Sequence, residues 1–262
     1  MKIVVCIKQV PDTTEIKIDP VKNTLIRTGV PSIMNPFDKN ALETALRLKD
    51  SCGAKVTAIS MGPAQAKAVL REALAMGADE AYLVTDRAFG GSDTYATSYI
   101  LSQVIRKLGP FDVILGGKQA IDGDTGQTAP SIAEHLDAAR LTYVLDLTVE
   151  GDKVLAQRQV EEGVEVVETS LPVLCTVTKE SNKPRYATIK RKIASLKAEI
   201  PEITLADLPD ADVSKMGLKG SPTKVKATFT PKRTAEGVMI GGSTPAEIAV
   251  SLLDTLAEAK IL

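Results

Sequence analysis

The chain has 262 residues, of which 44% are hydrophobic and 25% charged, and its formal net charge is −1. This composition is typical of one large or two small globular domains, and the near-neutral charge excludes a general affinity for nucleic acid. No apolar run approaches the length of a membrane span, and the start of the chain resembles a strand more than a signal peptide. The three cysteines are scattered along the chain. We therefore expect a cytoplasmic protein with reduced thiols and no membrane partner.

Predicted strands and helices alternate in the first half of the chain. Residues 3–7 are continuously apolar, as in a strand that is buried on both faces. A hairpin is predicted over residues 15–27. Helices are then predicted at residues 36–49, 64–76 and 94–107, and strands at 55–60, 81–84 and 111–115. Such a series favours a parallel sheet with right-handed crossovers, an α/β fold.

The pattern changes after residue 140. Strands at 143–150, 153–160 and 164–171 predict an antiparallel extension, followed by a strand at 171–178 and a basic, irregular segment at 179–197. Residues 201–243 have the composition of an extended arm. A final helix follows, for which Thr244, Pro245 and Glu247 supply a capping box. We therefore expect an α/β domain over 1–200 and an arm with a helix over 201–262, either wrapping a partner or packing on its own domain.

One loop carries the strongest functional signal. It lies between the predicted strand at 111–115 and a predicted helix at 129–136, and it is dense in glycine and hydroxyl side chains, so its backbone N–H groups could converge on a phosphate. The loop also contains Asp122 and Asp124, which would repel phosphate. We expect these acids to accept hydrogen bonds from ribose or to brace the loop. An EF-hand is excluded because Ala133 stands where its bidentate glutamate would be.

Other loops follow strands at the same predicted edge of the sheet. Asn35 and Asp38 flank the start of the first long helix, where helix capping alone would also explain them. A second glycine pair, Gly90 and Gly91, could hold a second phosphate, although a flexible loop fits equally well. His135 is the only histidine, and its place in an amphipathic helix indicates a structural or surface role, which leaves no visible catalytic group.

Several motifs along nearly the whole chain resemble those of electron-transfer flavoprotein beta subunits. They are Gly117-Lys118-Gln119-Ala120-Ile121-Asp122-Gly123-Asp124, Val4-Val5-Cys6-Ile7-Lys8, Met34-Asn35-Pro36-Phe37, Gly62-Pro63-Ala64-Gln65, Ala73 to Asp79 and Pro184-Arg185-Tyr186-Ala187-Thr188. The resemblance implies a sheet of the adenine-nucleotide alpha-hydrolase-like type. It also implies a partner, the electron-transfer flavoprotein alpha subunit, which carries an FAD. Beta subunits of the simpler branch bind AMP, and those of the electron-bifurcating branch bind a second FAD that accepts hydride from NADH.

The resemblance implies a set of cofactor-binding residues in two loops and at two strand ends. The set is Cys6, Asn35, Pro36, Phe37, Asp38, Met61, Gly117, Lys118, Gln119, Ala120, Ile121, Asp122, Gly123, Asp124, Thr125, Gly126, Gln127 and Thr128. A second group, Gly90, Gly91, Ser92, Asp93 and Thr94, is similar to the bifurcating branch. Gly126 also departs from the asparagine frequent in AMP-binding members. We therefore hypothesise FAD as the cofactor, with AMP as the alternative and NADH as a transient electron donor.

The basic segment at 184–192 is similar to the loop with which this family docks a flavin-containing dehydrogenase. Ile189 would be its apolar anchor, and Arg185, Tyr186, Lys190 and Arg191 would surround that anchor. A solvated basic loop is the alternative.

The implied function is that of a redox subunit, active only within a complex. It would take electrons from NADH and split them between ferredoxin and the dehydrogenase, the latter through the alpha-subunit FAD. Two alternatives remain open: a non-bifurcating subunit with structural AMP, and an adenine-nucleotide-sensing module without a redox role.

Overall fold

A nine-stranded sheet forms the centre of the first 226 residues in a computed structural model, which describes residues 1–12, 31–227 and 237–262. The strands are β1 Lys2–Cys6, β2 Gln9–Pro11, β3 Ser32–Met34, β4 Lys55–Met61, β5 Glu80–Val84, β6 Val113–Gly117, β7 Ala139–Glu150, β8 Lys153–Val160, β9 Gly163–Ser170, β10 Val173–Val177 and β11 Glu202–Ile203. The order in the large sheet is β11-β5-β4-β1-β6-β10-β7-β8-β9, while β2 and β3 form a separate antiparallel pair.

Seven strands of the large sheet, from β11 to β7, run parallel, and β7, β8 and β9 form an antiparallel meander at the other end. Both the mostly parallel sheet and its antiparallel extension are therefore confirmed. The predicted hairpin over residues 15–27 lies outside the described residues.

Helices cover both faces of the parallel part. The α-helices of residues 1–226 are α1 Pro36–Cys52, α2 Lys67–Met76, α3 Thr94–Leu108, α4 Thr128–Leu136, α5 Ile189–Lys197 and α6 Gly217–Gly220, and α7 Pro245–Glu258 belongs to the separate C-terminal unit. Because side chains alternate along a strand, Ile3 and Val5 of β1 pack in the core beneath α1 and α2, while Val4 packs in the core beneath α3 and α4. This double burial explains the unbroken apolar run with which the chain begins.

Two predictions for the second half were wrong. Residues 179–197 are not irregular throughout, because α5 occupies their last nine residues and Thr188 caps it by accepting a hydrogen bond from the Arg191 N–H at 3.2 Å. Residues 201–226 are not an extended arm, because β11 pairs with β5, and the isolated apolar residues Leu208 and Met216 are buried.

The chain divides into two units, Met1–Lys226 and Ala227–Leu262, so the predicted boundary at residue 200 lies inside the first unit. The second unit contains α7. Thr244 caps this helix by accepting from the Glu247 N–H at 3.3 Å, and the Glu247 carboxylate accepts from the Ser243 N–H at 2.8 Å. Within the described part of the chain, no helix is both long and apolar enough to cross a membrane.

Candidate functional site

The order in which successive strands join the sheet reverses between β1 and β6. From β1 the chain builds outward through β4 and β5 on one side, and then returns to build β6 and β10 on the other. Ligands of open α/β sheets bind at such a switch point, outside the carboxyl ends of the strands. Cys6 at the end of β1 lies in register with Gly116 of β6. The loop that follows Gly117 is therefore placed directly at the switch point.

Asn35 fixes this loop from the opposite side of the cleft. Its side-chain Nδ2 donates to the carbonyl of Gln119 at 2.8 Å, and its Oδ1 accepts from the N–H of Ile121 at 3.2 Å. The side chain is fully buried and makes no capping hydrogen bond to α1. Helix capping, the alternative explanation for this residue, is therefore wrong for Asn35, which acts on the loop instead.

Asp38 joins the segment after β1 to the end of β6 through backbone donors. One carboxylate oxygen accepts from the N–H of Lys8 at 2.7 Å and the other from the N–H of Gly117 at 3.0 Å. Burial raises the pKa of Asp38 to about 7 against the opposing effect of these hydrogen bonds. Burial, with a contribution from Asp38, also raises the pKa of the Cys6 thiol to about 12, so this cysteine is a poor nucleophile near neutral pH.

The two acids of the loop have internal partners. Lys8 Nζ lies 2.6 Å from Asp122 Oδ1, and the Asp122 side chain is only 7% exposed. The Gln119 side-chain amide donates to Asp124 at 2.8 Å. Of the two roles expected for these acids, bracing the loop is the one that the geometry supports. The carboxylate of Asp122 is neutralised, so it repels an approaching phosphate less strongly.

Glycine is required at the start of the loop and is favoured near its end. A Cβ at Gly117 would lie 2.5 Å from Asp38 Oδ1 and 2.6 Å from Phe37 Cβ, so only glycine fits there. Gly126 has φ +62°, also favourable to glycine, and Asp124 has φ +50°. Beyond Thr125, α4 begins after Gln127, whose side chain makes no capping hydrogen bond. The first N–H groups of this helix, beginning with Thr128, are therefore suited to an anion.

Ser60 is a residue that the motifs did not reveal. Its hydroxyl lies next to Met61 at the carboxyl end of β4 and is the one buried side-chain polar atom, among the residues described, without a hydrogen-bond partner. A buried hydroxyl with no partner is uncommon and is a group that a ligand or water can satisfy.

The second glycine loop lies against residues 217–223. The Ser92 hydroxyl accepts from the N–H of Gly217 at 3.1 Å, while Asp93 Oδ2 accepts from the N–H of Thr223 at 2.9 Å and from its hydroxyl at 2.7 Å. Asp93 also caps α3 through its other oxygen, at 3.0 Å from the Ala96 N–H. The side chains expected to receive a phosphate are thus engaged with the protein, and the cofactor role of Gly90 to Thr94 stays a prediction.

Two lysines lie over aromatic rings near the ends of β6 and β10. Lys118 Nζ is 4.7 Å from the ring centre of Tyr143, and Lys179 Nζ is 4.7 Å from that of Phe37. Tyr143 and Lys179 were not predicted for the site. Tyr143 comes from β7, and its proximity to Lys118 depends on the strand order, which the local sequence does not contain.

The predicted docking segment combines exposed apolar side chains with anchored arginines. Tyr186 is 98% exposed and Ile189 is 79% exposed. Arg185 forms a bidentate ion pair with the buried Glu43, at 2.8 and 3.0 Å, and Arg191 donates to the carbonyl of Met76 at 3.0 Å. The arginines therefore hold the segment on α1 and α2, whereas Lys190 is exposed. Docking itself stays a prediction.

His135 lies between aromatic rings, edge-on to Tyr95 and Tyr99 at 5.5 and 5.7 Å between ring centres. Burial lowers the pKa of its imidazole. These contacts are those of a structural side chain. Within residues 1–12, 31–227 and 237–262, no cluster of three or more histidine, cysteine, aspartate or glutamate side chains is arranged to hold a metal.

Comparison with known proteins shows the family of the chain. Residues 22–208 match the family described as "Electron transfer flavoprotein domain". The chain belongs to the electron transfer flavoprotein family. It is 55% identical to the "Electron transfer flavoprotein subunit beta" of Thermoanaerobacterium thermosaccharolyticum over 93% of each chain, and 52% identical to the protein of the same name from Megasphaera elsdenii over the full length of both. It is also 49% identical, again over both full lengths, to the "Caffeyl-CoA reductase-Etf complex subunit CarD" of Acetobacterium woodii.

Proposed function

We propose that this chain is the beta subunit of an electron-bifurcating electron transfer flavoprotein. It would bind FAD at the switch point, take electrons from NADH, and deliver them to ferredoxin and, through the FAD of an alpha subunit, to a flavin-containing dehydrogenase. The observation that carries the proposal is the place of the loop after Gly117 at the switch point, where Asn35 bonds to the loop and Asp38 bonds to the end of β6.

The residues present fit the adenine-nucleotide part of such a cofactor. The uncapped start of α4 offers backbone donors to a phosphate, and the unpartnered Ser60 hydroxyl lies two strands from β6. Lys8 reduces the repulsion between Asp122 and a phosphate. The protein's task is then to bind and orient the nucleotide and to exclude water from its buried contacts.

No side chain of the site is arranged for bond-making. The Cys6 thiol stays protonated, and His135 packs between aromatic rings. Bound FAD supplies hydride acceptance and one-electron transfer, which protein side chains do not offer. The relative named for a caffeyl-CoA reductase complex supports the view that the final electron acceptor is a flavin-containing dehydrogenase.

The test is to purify the complex that contains this chain, release its nucleotides and quantify them. We expect two FAD per complex and NADH-dependent reduction of ferredoxin when a dehydrogenase and its substrate are present. One FAD and one AMP per complex would contradict the proposal. A complex with no flavin would indicate instead a nucleotide-sensing module.

The AMP-binding alternative has one observation in its favour. Ser92 and Asp93, which were expected to receive the second phosphate of FAD, are hydrogen-bonded to Gly217 and Thr223 instead. A mononucleotide would need no such second contact. Nucleotide quantification decides between the two.

We further propose that the second unit, including α7, contacts the alpha subunit. Its apolar side chains Ile248, Leu252 and Leu253 are 40–55% exposed in the isolated chain and would be covered by a partner. We expect deletion of residues 245–262 to dissociate the complex in size-exclusion chromatography. An intact complex would contradict this role.

A further inference from the structure

We propose that Lys118 and Lys179, each held on an aromatic ring, form a subsite for the second phosphate of a dinucleotide. The inference rests on the proposed nucleotide site. It concerns which residues would hold the second phosphate, since Ser92 and Asp93 of the loop at Gly90 to Thr94 are hydrogen-bonded within the protein. The subsite lies at the carboxyl ends of β6 and β10, on the side of the switch point opposite to that loop.

The backbone brings the two lysine–aromatic pairs together. The Lys118 N–H donates to the carbonyl of Val177 at 2.8 Å, and Lys179 follows Val177 by two residues. Phe37, which lies under Lys179, abuts Gly117, the residue before Lys118. The two lysines thus start from one rim of the predicted nucleotide site.

The lysines are available to an anion. Neither of them lies within salt-bridge distance of a carboxylate in the described ranges, whereas the two acids of the neighbouring loop are bonded to Lys8 and Gln119. An ammonium group on an aromatic face keeps N–H donors directed away from the ring, and the ring restricts its position. Such a cation is preorganised for phosphate, with less side-chain entropy to lose than a freely rotating lysine.

The backbone at Tyr143 indicates that the ring's position is enforced. Tyr143 has φ +60°, a left-handed conformation that is strained for a bulky side chain. Its N–H donates to Thr176 Oγ1 at 3.0 Å, and Arg158 binds both the carbonyl and the hydroxyl of the preceding Thr142, at 3.1 and 2.9 Å. The pairing of β7 is irregular on both sides of this point. Strain that three hydrogen bonds maintain is typical of a functional position.

The experiment compares AMP, ADP and FAD binding by titration calorimetry. It uses the full chain in its purified complex, stripped of nucleotide. We expect Tyr143→Leu and Lys118→Met to weaken ADP and FAD binding about five- to thirtyfold, with AMP affinity within about twofold of wild type. The loss should shrink in high salt. Tyr143→Phe, which keeps the ring, should bind like wild type. Lys153→Met, on the distant β8, is the matched control for loss of a lysine.

Two further variants separate positioning from folding. If Tyr143 acts through Lys118, adding Tyr143→Leu to Lys118→Met should cause little further loss of ADP binding. Tyr143→Asn removes the ring but tolerates positive φ, so it should melt at a higher temperature than Tyr143→Leu while losing ADP affinity equally.

Three outcomes would overturn the subsite. They are equal losses for AMP and ADP, unchanged ADP binding in the lysine and tyrosine variants, or a selective loss of ADP binding in Ser92→Ala alone. In each of these the wild-type chain still binds AMP, so the proposed nucleotide site survives. A wild-type chain that binds neither AMP nor FAD overturns both.

Discussion

Replacement of Asp38 by asparagine should remove the pH dependence that Asp38 gives to the free energy of unfolding. The Asp38 carboxylate lies 7% exposed between two backbone donors, the N–H groups of Lys8 and Gly117. Its pKa rises from 3.8 to about 7, so the folded protein holds a proton up to neutral pH that the unfolded chain releases near pH 4. Because the folded state binds this proton more tightly than the unfolded chain, protonation of Asp38 stabilises the fold at acidic pH, and that stabilisation is lost as the pH rises from about 4 to 7.

The magnitude follows from the size of the shift. A rise of about three pKa units corresponds to at most about 4 kcal/mol of stability at the acidic end of the window relative to pH 8. Asparagine cannot ionise and has one acceptor oxygen, so one of the two buried N–H groups loses its partner, at a cost of about 1–3 kcal/mol. The wild type should be the more stable protein at pH 5, and the difference should shrink or reverse at pH 8.

Urea unfolding followed by circular dichroism at pH 5 and pH 8 measures both free energies. The single histidine, His135, contributes the opposite slope because its pKa is lowered, but it is present in both proteins and cancels in the difference. A difference between wild type and Asp38→Asn that stays constant with pH would refute the reasoning, because it would mean that Asp38 is ionised throughout.

Three other outcomes are expected. Gly117→Ala should lose bound nucleotide and stability, because the added Cβ would lie 2.5 Å from Asp38 Oδ1, whereas Gly123→Ala, with nothing within 4 Å, should retain both in nucleotide release and thermal melting. Ile189→Ala should slow electron transfer to the dehydrogenase with an unchanged flavin spectrum, and loss of flavin in that variant would contradict a docking role. Glu43→Gln should destabilise the protein by about 1–3 kcal/mol in urea unfolding, since glutamine cannot form the charged bidentate pair with Arg185, which keeps Asp50 at 2.8 Å as a counter-ion; a change below about 0.5 kcal/mol would contradict this.

The sheet was predictable because most of its strands can be identified from the local sequence. Unbroken apolar runs such as that of β1 mark strands covered on both faces, and turn residues such as Gly151-Asp152 separate the antiparallel strands. The edge strand β11 has only two residues and lies in a segment of scattered apolar residues. Its pairing with β5 depends on tertiary contacts that a local pattern cannot show.

The candidate site was predictable as a set of loops, but the function of each side chain was not. Asn35 has the residue type and position of a helix cap, and only the fold shows that it bonds instead to a loop more than 80 residues away. The same holds for Lys8 with Asp122 and for Tyr143 with Lys118, since each pair joins residues from different strands or loops. Local propensity cannot anticipate such pairs.

The two anchored arginines have a consequence for how quickly this protein could find a partner. Arg185 and Arg191 fix the backbone around Tyr186 and Ile189 before any encounter, so the loss of chain entropy has already occurred during folding. A partner would then meet a preformed apolar surface, and association would require no conformational change of the loop. A carrier that must bind, transfer electrons and dissociate repeatedly gains from such a rigid surface, because fast exchange needs modest affinity without slow rearrangement.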